Sequence, residues 1–123
     1  MRVLVVGLAA TGASVVSYTR AAGHDVTVLT SQHAPELARE AARVVDVDLW
    51  GVIHGTRAAY AVMVRQGDGH IVNTASLAGL VAAPMQGSYT ASKHAVVGLS
   101  RALRIEGADL GVRVSVVCPG MID

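Results

Sequence analysis

Four short runs of apolar, mostly β-branched residues alternate along the chain with longer helical segments, and this alternation constrains the fold more than any other feature. The runs are RVLVV, DVTVLT, HIVNTAS and GVRVSVVCPG. Short apolar runs of this kind are typical of strands that are buried on both faces. Strands that alternate with helices predict a parallel sheet with right-handed crossovers. We therefore predict an α/β fold of three layers, with an abbreviated sheet of four parallel strands in the order 2-1-3-4.

The segments between these runs have helical character. Residues 35–45, 46–65 and 88–110 are predicted helices, and Pro35 suits the first turn of the first one. The last helix has apolar residues at helical spacing, which we assign to the core or to an interface: Val96, Leu99, Ala102 and Leu103. The 123 residues suffice for one domain, so we predict a single domain over residues 1–123.

Composition and charge exclude several classes of function. Hydrophobic residues make up 52% of the chain and charged residues 15%, which is typical of a packed domain and unlike a disordered segment. The net charge is +1 without a basic cluster, so we expect neither a nucleic acid nor a membrane as a partner. The single cysteine, Cys118, excludes an internal disulfide and favours a cytoplasmic location. The five histidines lack the spacing of metal ligands, so no metal site is expected.

A glycine-containing turn follows the first run. Gly7, Ala9 and Gly12 have the spacing of the dinucleotide motif G-x-G-x-x-G, with alanine at the middle position. In that motif the following helix N-terminus presents backbone N–H groups to a pyrophosphate. This predicts a Rossmann-like NAD(P)-binding domain, and a purely structural turn is the alternative. The second run ends at Thr30 with neither the acidic residue that favours NAD nor an arginine for NADP, so the choice between them stays open.

Tyr89 and Lys93 are four residues apart in a predicted helix, which places both side chains on one face. An ammonium beside a phenol favours the ionised phenol, and such a tyrosine exchanges a proton with a substrate oxygen. Ser76, at the end of the third run, offers a hydroxyl that would hold that oxygen while charge develops on it. Alone, a tyrosine and a lysine at this spacing more often mark a solvated helix face, so the hypothesis depends on the surrounding segments.

Those surroundings resemble the short-chain dehydrogenase/reductase family over residues 45–122. The resemblance is carried by VDLWGVIHGTRAAY, GHIVNTASLAGLVAAP, YTASKHAVVGLSRALR and GVRVSVVCPG. It implies that Tyr89 is the general acid and base, that Lys93 holds the nicotinamide ribose, and that Ser76 binds the substrate carbonyl. It also implies a homodimer that pairs through the two long helices. The last two residues of the fourth run would border the nicotinamide: Pro119 and Gly120.

One position departs from the pattern of this family. The resemblance places the fourth catalytic residue, an asparagine in the family, at Asp48. An ionised carboxylate accepts hydrogen bonds but has no N–H to donate. A further negative charge near Tyr89 would also oppose formation of the phenolate. We therefore expect lower activity from this single departure.

The first part of the chain resembles a different family. VLVVGLAATGASVVSYTRAAGHDVTVL, within residues 1–42, is similar to the N-terminal nucleotide-binding region of the Mur ligases that add D-glutamate to a muramoyl-alanine precursor. The glycine motif of the dehydrogenase family, T-G-x-x-x-G-x-G, is absent, as is its Asn-Asn-Ala-Gly turn. The chain also ends before the substrate-binding loop expected in the family. The sequence thus predicts an abbreviated dehydrogenase domain with a junction near residues 42–45, and a chimera, a design and a fragment all stay open as origins.

Three functional hypotheses follow from the sequence. The first is an NAD(P)-dependent oxidoreductase that interconverts a small alcohol and a ketone by hydride transfer, with Ser76, Tyr89 and Lys93 at its centre. The alternative is a Rossmann-like scaffold or nucleotide-binding module that keeps this segment without activity. The third is a chain that is stable only as a dimer and serves as an assembly element. The substrate is not predicted, because the loop that would bind it is missing from the pattern.

Overall fold

The computed structural model describes residues 2–6, 25–29 and 35–120, and the chain divides into two compact units between Glu40 and Ala41. In the first unit, strands β1 (Arg2–Val6) and β2 (Asp25–Leu29) pair in parallel. Helix α1 (Pro35–Val45) follows, with the proline at its first position. Both strands and the helix match the elements predicted from the sequence, except that β2 ends one residue earlier.

The second unit contains the segments that resemble the dehydrogenases. In chain order it has one π-helical turn (Asp46–Trp50), helix α2 (Gly51–Gln66), strand β3 (Gly69–Thr74), helix α3 (Gly87–Glu106) and strand β4 (Val112–Val117). β3 and β4 pair in parallel with Gly69 opposite Val112, and α3 forms the crossover between them. The predicted α/β class with parallel strands is confirmed.

The described strands form two sheets of two strands each, β1–β2 and β3–β4. Both pairs are neighbours in the predicted order 2-1-3-4. The central pairing of that order, β1 with β3, is not among the strand pairs of the described residues. Within the described residues, each unit therefore contains one parallel pair of strands.

Helix α3 ends at Glu106, earlier than the predicted position near residue 110. A β-carbon on the next residue, Gly107, would collide with the carbonyl oxygen of Val112. The Val112 N–H donates to the Gly107 carbonyl at 3.0 Å, which closes the turn back into β4. Gly111 completes the turn with φ +74°, a left-handed conformation that suits glycine. The helix stops because the chain must pass this close to β4.

Two hydrophobic clusters lie between the helices and one face of β3 and β4. One is built on Ile71, Val112 and Val114, and the other on Ala75, Val96 and Val97. Partly buried residues of α2 and the π turn complete them, among them Tyr60, Met63, Leu49 and Val52. These contacts hold α2, α3 and the π turn against the sheet.

The core stripe of α3 differs in part from the predicted one. Val96 is fully buried and Leu103 packs against the first cluster, but Leu99 is half-buried and Ala102 is exposed. Two serines occupy the stripe instead. Ser92 and Ser100 are each 1% exposed, and each hydroxyl donates to the carbonyl four residues earlier. Each serine hydroxyl thus has a hydrogen-bond partner within the helix. The small side chain lets the helix lie close to the sheet.

A buried hydrogen-bond chain joins α2, β3 and α3. The Thr56 hydroxyl donates to Asn73 Oδ1 at 2.9 Å, and Asn73 Nδ2 donates to Ser100 Oγ at 3.0 Å. Each of these three residues is buried. Satisfied polar networks of this kind specify one arrangement of the elements they connect. This series of hydrogen bonds therefore fixes β3 at Asn73, three residues before Ser76.

The hydroxyl of Tyr60 is buried without a hydrogen-bond partner among the described residues. An unsatisfied buried polar group costs about 1–3 kcal/mol. We expect Tyr60→Phe to raise the free energy of unfolding by about 1 kcal/mol, because the ring contacts are kept and the orphaned hydroxyl is removed. Urea denaturation of the two proteins measures this difference, and a less stable variant would show that the hydroxyl has a partner in solution.

Across the residues that the structure describes, no helix combines the length and apolar character needed to cross a bilayer.

Candidate active site

The carboxyl ends of β3 and β4 lie side by side, and backbone hydrogen bonds continue past the end of β3. The Ala75 N–H donates to the Val117 carbonyl and the Leu77 N–H donates to the Pro119 carbonyl, both at 2.8 Å. Open α/β sheets bind their ligands outside the carboxyl ends of parallel strands. The residues just after β3 and β4 are therefore where a ligand site is expected.

Ser76 stands at this edge, directly after the strand. Its backbone is extended (φ −168°), and it caps a short 3₁₀ turn, Leu77–Gly79. Its Oγ accepts a hydrogen bond from the Ala78 N–H at 3.2 Å. A hydroxyl that accepts in this way keeps its own hydrogen for donation. Ser76 is half-buried, so its oxygen is held in place while its O–H is left for donation.

Gly79 brings the turn after Ser76 into direct contact with α3. A β-carbon on Gly79 would lie 2.7 Å from the carbonyl oxygen of Lys93 and 3.1 Å from Val97 Cγ2. Only glycine leaves room for the backbones to approach this closely. The contact places the Ser76 turn beside the helical turn that carries Lys93.

Tyr89 and Lys93 lie in the first turns of α3, at the same end of the unit. The Lys93 Nζ is 5.5 Å from the centroid of the Tyr89 ring, within the range of a cation–π contact. Lys93 is buried and Tyr89 is half-buried. The Ala83 N–H donates to Thr90 Oγ1 at 3.3 Å, which anchors the preceding loop to this end of the helix. The juxtaposition predicted from the four-residue spacing is present.

Asp48 reaches the same lysine from the π turn. Its Oδ1 is 3.2 Å from Lys93 Nζ, and the two side chains are 28% and 10% exposed. π-helical turns are rare overall, and those that occur often lie at functional sites. This turn packs through Leu49 against the cluster of Val96 and Val97 on α3. The sequence indicated Asp48 only through the resemblance to the dehydrogenase family. The structure shows that Asp48 pairs with Lys93.

The remaining predicted residues fall into two groups. Pro119 and Gly120 are exposed after β4, and a β-carbon on Gly120 would lie 3.9 Å from Leu77 Cδ2. They therefore lie beside the Ser76 turn. The other predicted cofactor residues are outside the described part of the chain: Gly7, Ala9, Gly12 and Thr30.

Some of the predicted catalytic residues are therefore in direct contact, and others are linked only through a further residue. Lys93 contacts both Asp48 and the ring of Tyr89, and Ser76 is linked to Lys93 through the contact of Gly79. No direct hydrogen bond between Ser76 and Tyr89 is present among the described contacts. Sequence reasoning missed Gly79, although a glycine in the short segment between a strand and a helix is a signal of close backbone approach.

Comparisons with known proteins identify the family and the fold of the chain. A family model described as short chain dehydrogenase matches residues 20–123. A Mycobacterium tuberculosis protein named as an oxidoreductase, SadH, is 50% identical over 82 residues, which are 65% of this chain and 30% of that protein. The structure of carveol dehydrogenase from Mycobacterium avium in complex with NAD matches 61% of this chain and 27% of its own, with a TM-score of 0.58 and 39% identity.

A further solved structure extends the similarity in fold. The crystal structure of levodione reductase has a TM-score of 0.66 over 97% of this chain at 23% identity, which supports the Rossmann-like architecture alone. The chain spans less than a third of the length of SadH and of carveol dehydrogenase, at 30% and 27%. Because the family model matches most of the residues, the chain belongs to the short-chain dehydrogenase family.

Proposed function

We propose that this chain carries the proton-transfer centre of an NAD(P)-dependent oxidoreductase that interconverts a small alcohol and a ketone. The observation that supports this most directly is the buried Lys93 ammonium 5.5 Å from the centroid of the Tyr89 ring. The pair lies next to the turn that holds Ser76, at the carboxyl ends of two parallel strands. Carveol dehydrogenase, which is 39% identical to this chain over the matched part, is named for a reaction of this class.

In this proposal the three side chains divide the work at the substrate oxygen. Ser76 donates a hydrogen bond to the oxygen and so stabilises negative charge on it. Tyr89 takes the proton of the alcohol during oxidation and returns it during reduction. The positive charge of Lys93 lies 5.5 Å from the centroid of the Tyr89 ring, so it stays close to the phenol during this exchange.

The described residues fit a nicotinamide dinucleotide at this edge. Lys93 offers a buried ammonium to the hydroxyls of the nicotinamide ribose, and Pro119 and Gly120 would border the ring. When bound, the dinucleotide accepts or supplies the hydride. In the proposal, four further residues also bind the cofactor, with the glycine turn at the pyrophosphate. They lie outside the described part of the chain: Gly7, Ala9, Gly12 and Thr30.

A cofactor titration tests the proposal. We expect NADH or NADPH to bind with at most millimolar dissociation constants, as measured by the fluorescence of the nicotinamide. Lys93→Met should weaken binding about tenfold, because one hydrogen bond from a charged donor is lost. If neither dinucleotide binds, the alternative of a catalytically inactive scaffold replaces the enzyme proposal.

A homodimer through the two long helices, in the cytoplasm, completes the proposal. A β-carbon on Gly51, Gly55 or Gly98 would meet nothing within 4 Å, so these positions on α2 and α3 leave open surface. Such glycines allow a second helix to approach closely. Sedimentation equilibrium distinguishes this dimer from a monomer.

The origin of the N-terminal segment stays a prediction of the sequence. The family match begins at residue 20 and so includes β2 and α1. The similarity of residues 1–42 to Mur ligases, and a chimera joined near residues 42–45, have only the quoted sequence as support. Helix α1 includes residues 42–45. The single domain over residues 1–123 is likewise a prediction.

A further inference from the structure

The ion pair between Asp48 and Lys93 differs in character from the other ion pair of the described residues. Arg39 and Glu36 are 3.8 Å apart with side chains 77% and 89% exposed, so water screens them. Asp48 and Lys93 are 3.2 Å apart with side chains 28% and 10% exposed. Attraction between opposite charges strengthens as water is excluded. The Asp48–Lys93 pair is therefore the one whose attraction can change how Lys93 interacts with a ligand.

The position of the carboxylate is supported by packing around it. Asp48 lies in the π turn, next to Leu49, which contacts the cluster of Val96 and Val97 on the same helix as Lys93. Val52, one turn further along, packs against the same cluster. Because both sides of the contact rest on one core, the carboxylate stays in reach of the ammonium.

The pair changes what Lys93 offers to a ligand. An ammonium has three N–H donors and a unit charge. A carboxylate at 3.2 Å engages one of those donors and neutralises most of the charge in a partly buried setting. An asparagine of the same shape would leave the charge in place. The identity of residue 48 thus determines whether Lys93 acts as a free cation or as half of an internal pair.

We propose that Asp48 is a positioning residue that neutralises Lys93 and thereby weakens the binding of a nicotinamide dinucleotide at this site. This inference rests on the proposed function. Its consequence is that Asp48→Asn binds NADH or NADPH about tenfold more tightly than the unmodified chain, the effect of restoring one charged hydrogen bond. The carboxylate therefore weakens the contribution of Lys93 to this site.

The experiment compares three proteins by nicotinamide fluorescence titration: the unmodified chain, Asp48→Asn and Asp46→Asn. Asp46 lies in the same π turn and is exposed. Its replacement makes the same change of net charge and the same change of side-chain chemistry. A general effect of net charge would strengthen binding in both variants, whereas the proposal requires tighter binding in Asp48→Asn alone.

A second measurement does not depend on any cofactor. Thermal midpoints are measured for Asp48→Asn, Lys93→Met and the double variant. If the two side chains act as a pair, the double variant loses less than the sum of the two single losses. Additive losses would show that the pair has no energetic effect, and the proposal would then fail whatever the titrations show.

The outcomes separate this inference from the function on which it rests. Tighter binding by Asp48→Asn together with non-additive midpoints supports it, whether or not the unmodified chain binds measurably. If the unmodified chain binds and Asp48→Asn binds no more tightly, the inference is wrong and the proposed function stands. If none of the three proteins binds a dinucleotide, both are wrong.

Discussion

Replacement of Tyr89 with phenylalanine is expected to lower the rate of alcohol oxidation by about 10²- to 10⁴-fold, the usual contribution of a positioned acid or base. Phenylalanine keeps the ring against which Lys93 Nζ lies at 5.5 Å, so the helix and the ion pair should be unaffected. Only the proton-carrying hydroxyl is removed. The rate is followed as formation of NADH or NADPH with a secondary alcohol as substrate, and circular dichroism checks the fold.

Tyr60→Phe is the matched control for this variant. It removes a phenolic hydroxyl from α2, at a residue that packs against the first hydrophobic cluster rather than at the strand ends. We expect its oxidation rate to equal that of the unmodified chain. If Tyr89→Phe oxidises the alcohol as fast as this control, Tyr89 has no part in proton transfer.

The second large effect is expected at Gly79. A methyl group there would lie 2.7 Å from the backbone oxygen of Lys93, a distance that real β-carbons do not adopt. Because the obstacle is backbone rather than a flexible side chain, α3 and the Ser76 turn must move apart. We expect Gly79→Ala to lower the free energy of unfolding by about 1–3 kcal/mol, the usual cost of overpacking. Denaturant titration measures the loss.

Gly87→Ala, at the first residue of α3, provides the comparison. A β-carbon at Gly87 would meet nothing within 4 Å, so its stability should change by less than about 0.5 kcal/mol. The displacement caused by Gly79→Ala should also slow catalysis, since it moves Ser76 relative to Lys93. Equal stability of the two alanine variants would mean that the close approach of the turn and α3 does not occur in solution.

The positions of the elements were predictable because they depend on local pattern. Short β-branched runs with turn residues at their ends predicted β1 to β4 to within a few residues. The placement of Tyr89 beside Lys93 was equally local, since a helix brings residues four apart together whatever surrounds it. In contrast, the periodicity of α3 predicted its end too late, because the helix ends at Glu106 where Gly107 passes close to Val112.

Contacts between distant segments could not be predicted in the same way. The buried stripe of α3 includes Ser92 and Ser100, which hydrophobic periodicity passes over because it scores serine as polar. Ser100 also accepts from Asn73, itself bonded to Thr56 on another helix. The order of the strands was likewise inferred from topology rules, and among the described residues the observed pairs are β1–β2 and β3–β4.

The sequence alone determined the secondary-structure elements, the parallel α/β class and the presence of a phenol and an ammonium on one helical face. These depend on interactions between residues that are close along the chain. Only the tertiary structure decided that Lys93 pairs with Asp48 and that Gly79 seats the Ser76 turn on α3. The reason is physical: such contacts form when burial brings distant segments together, and each depends on the packing of the whole unit.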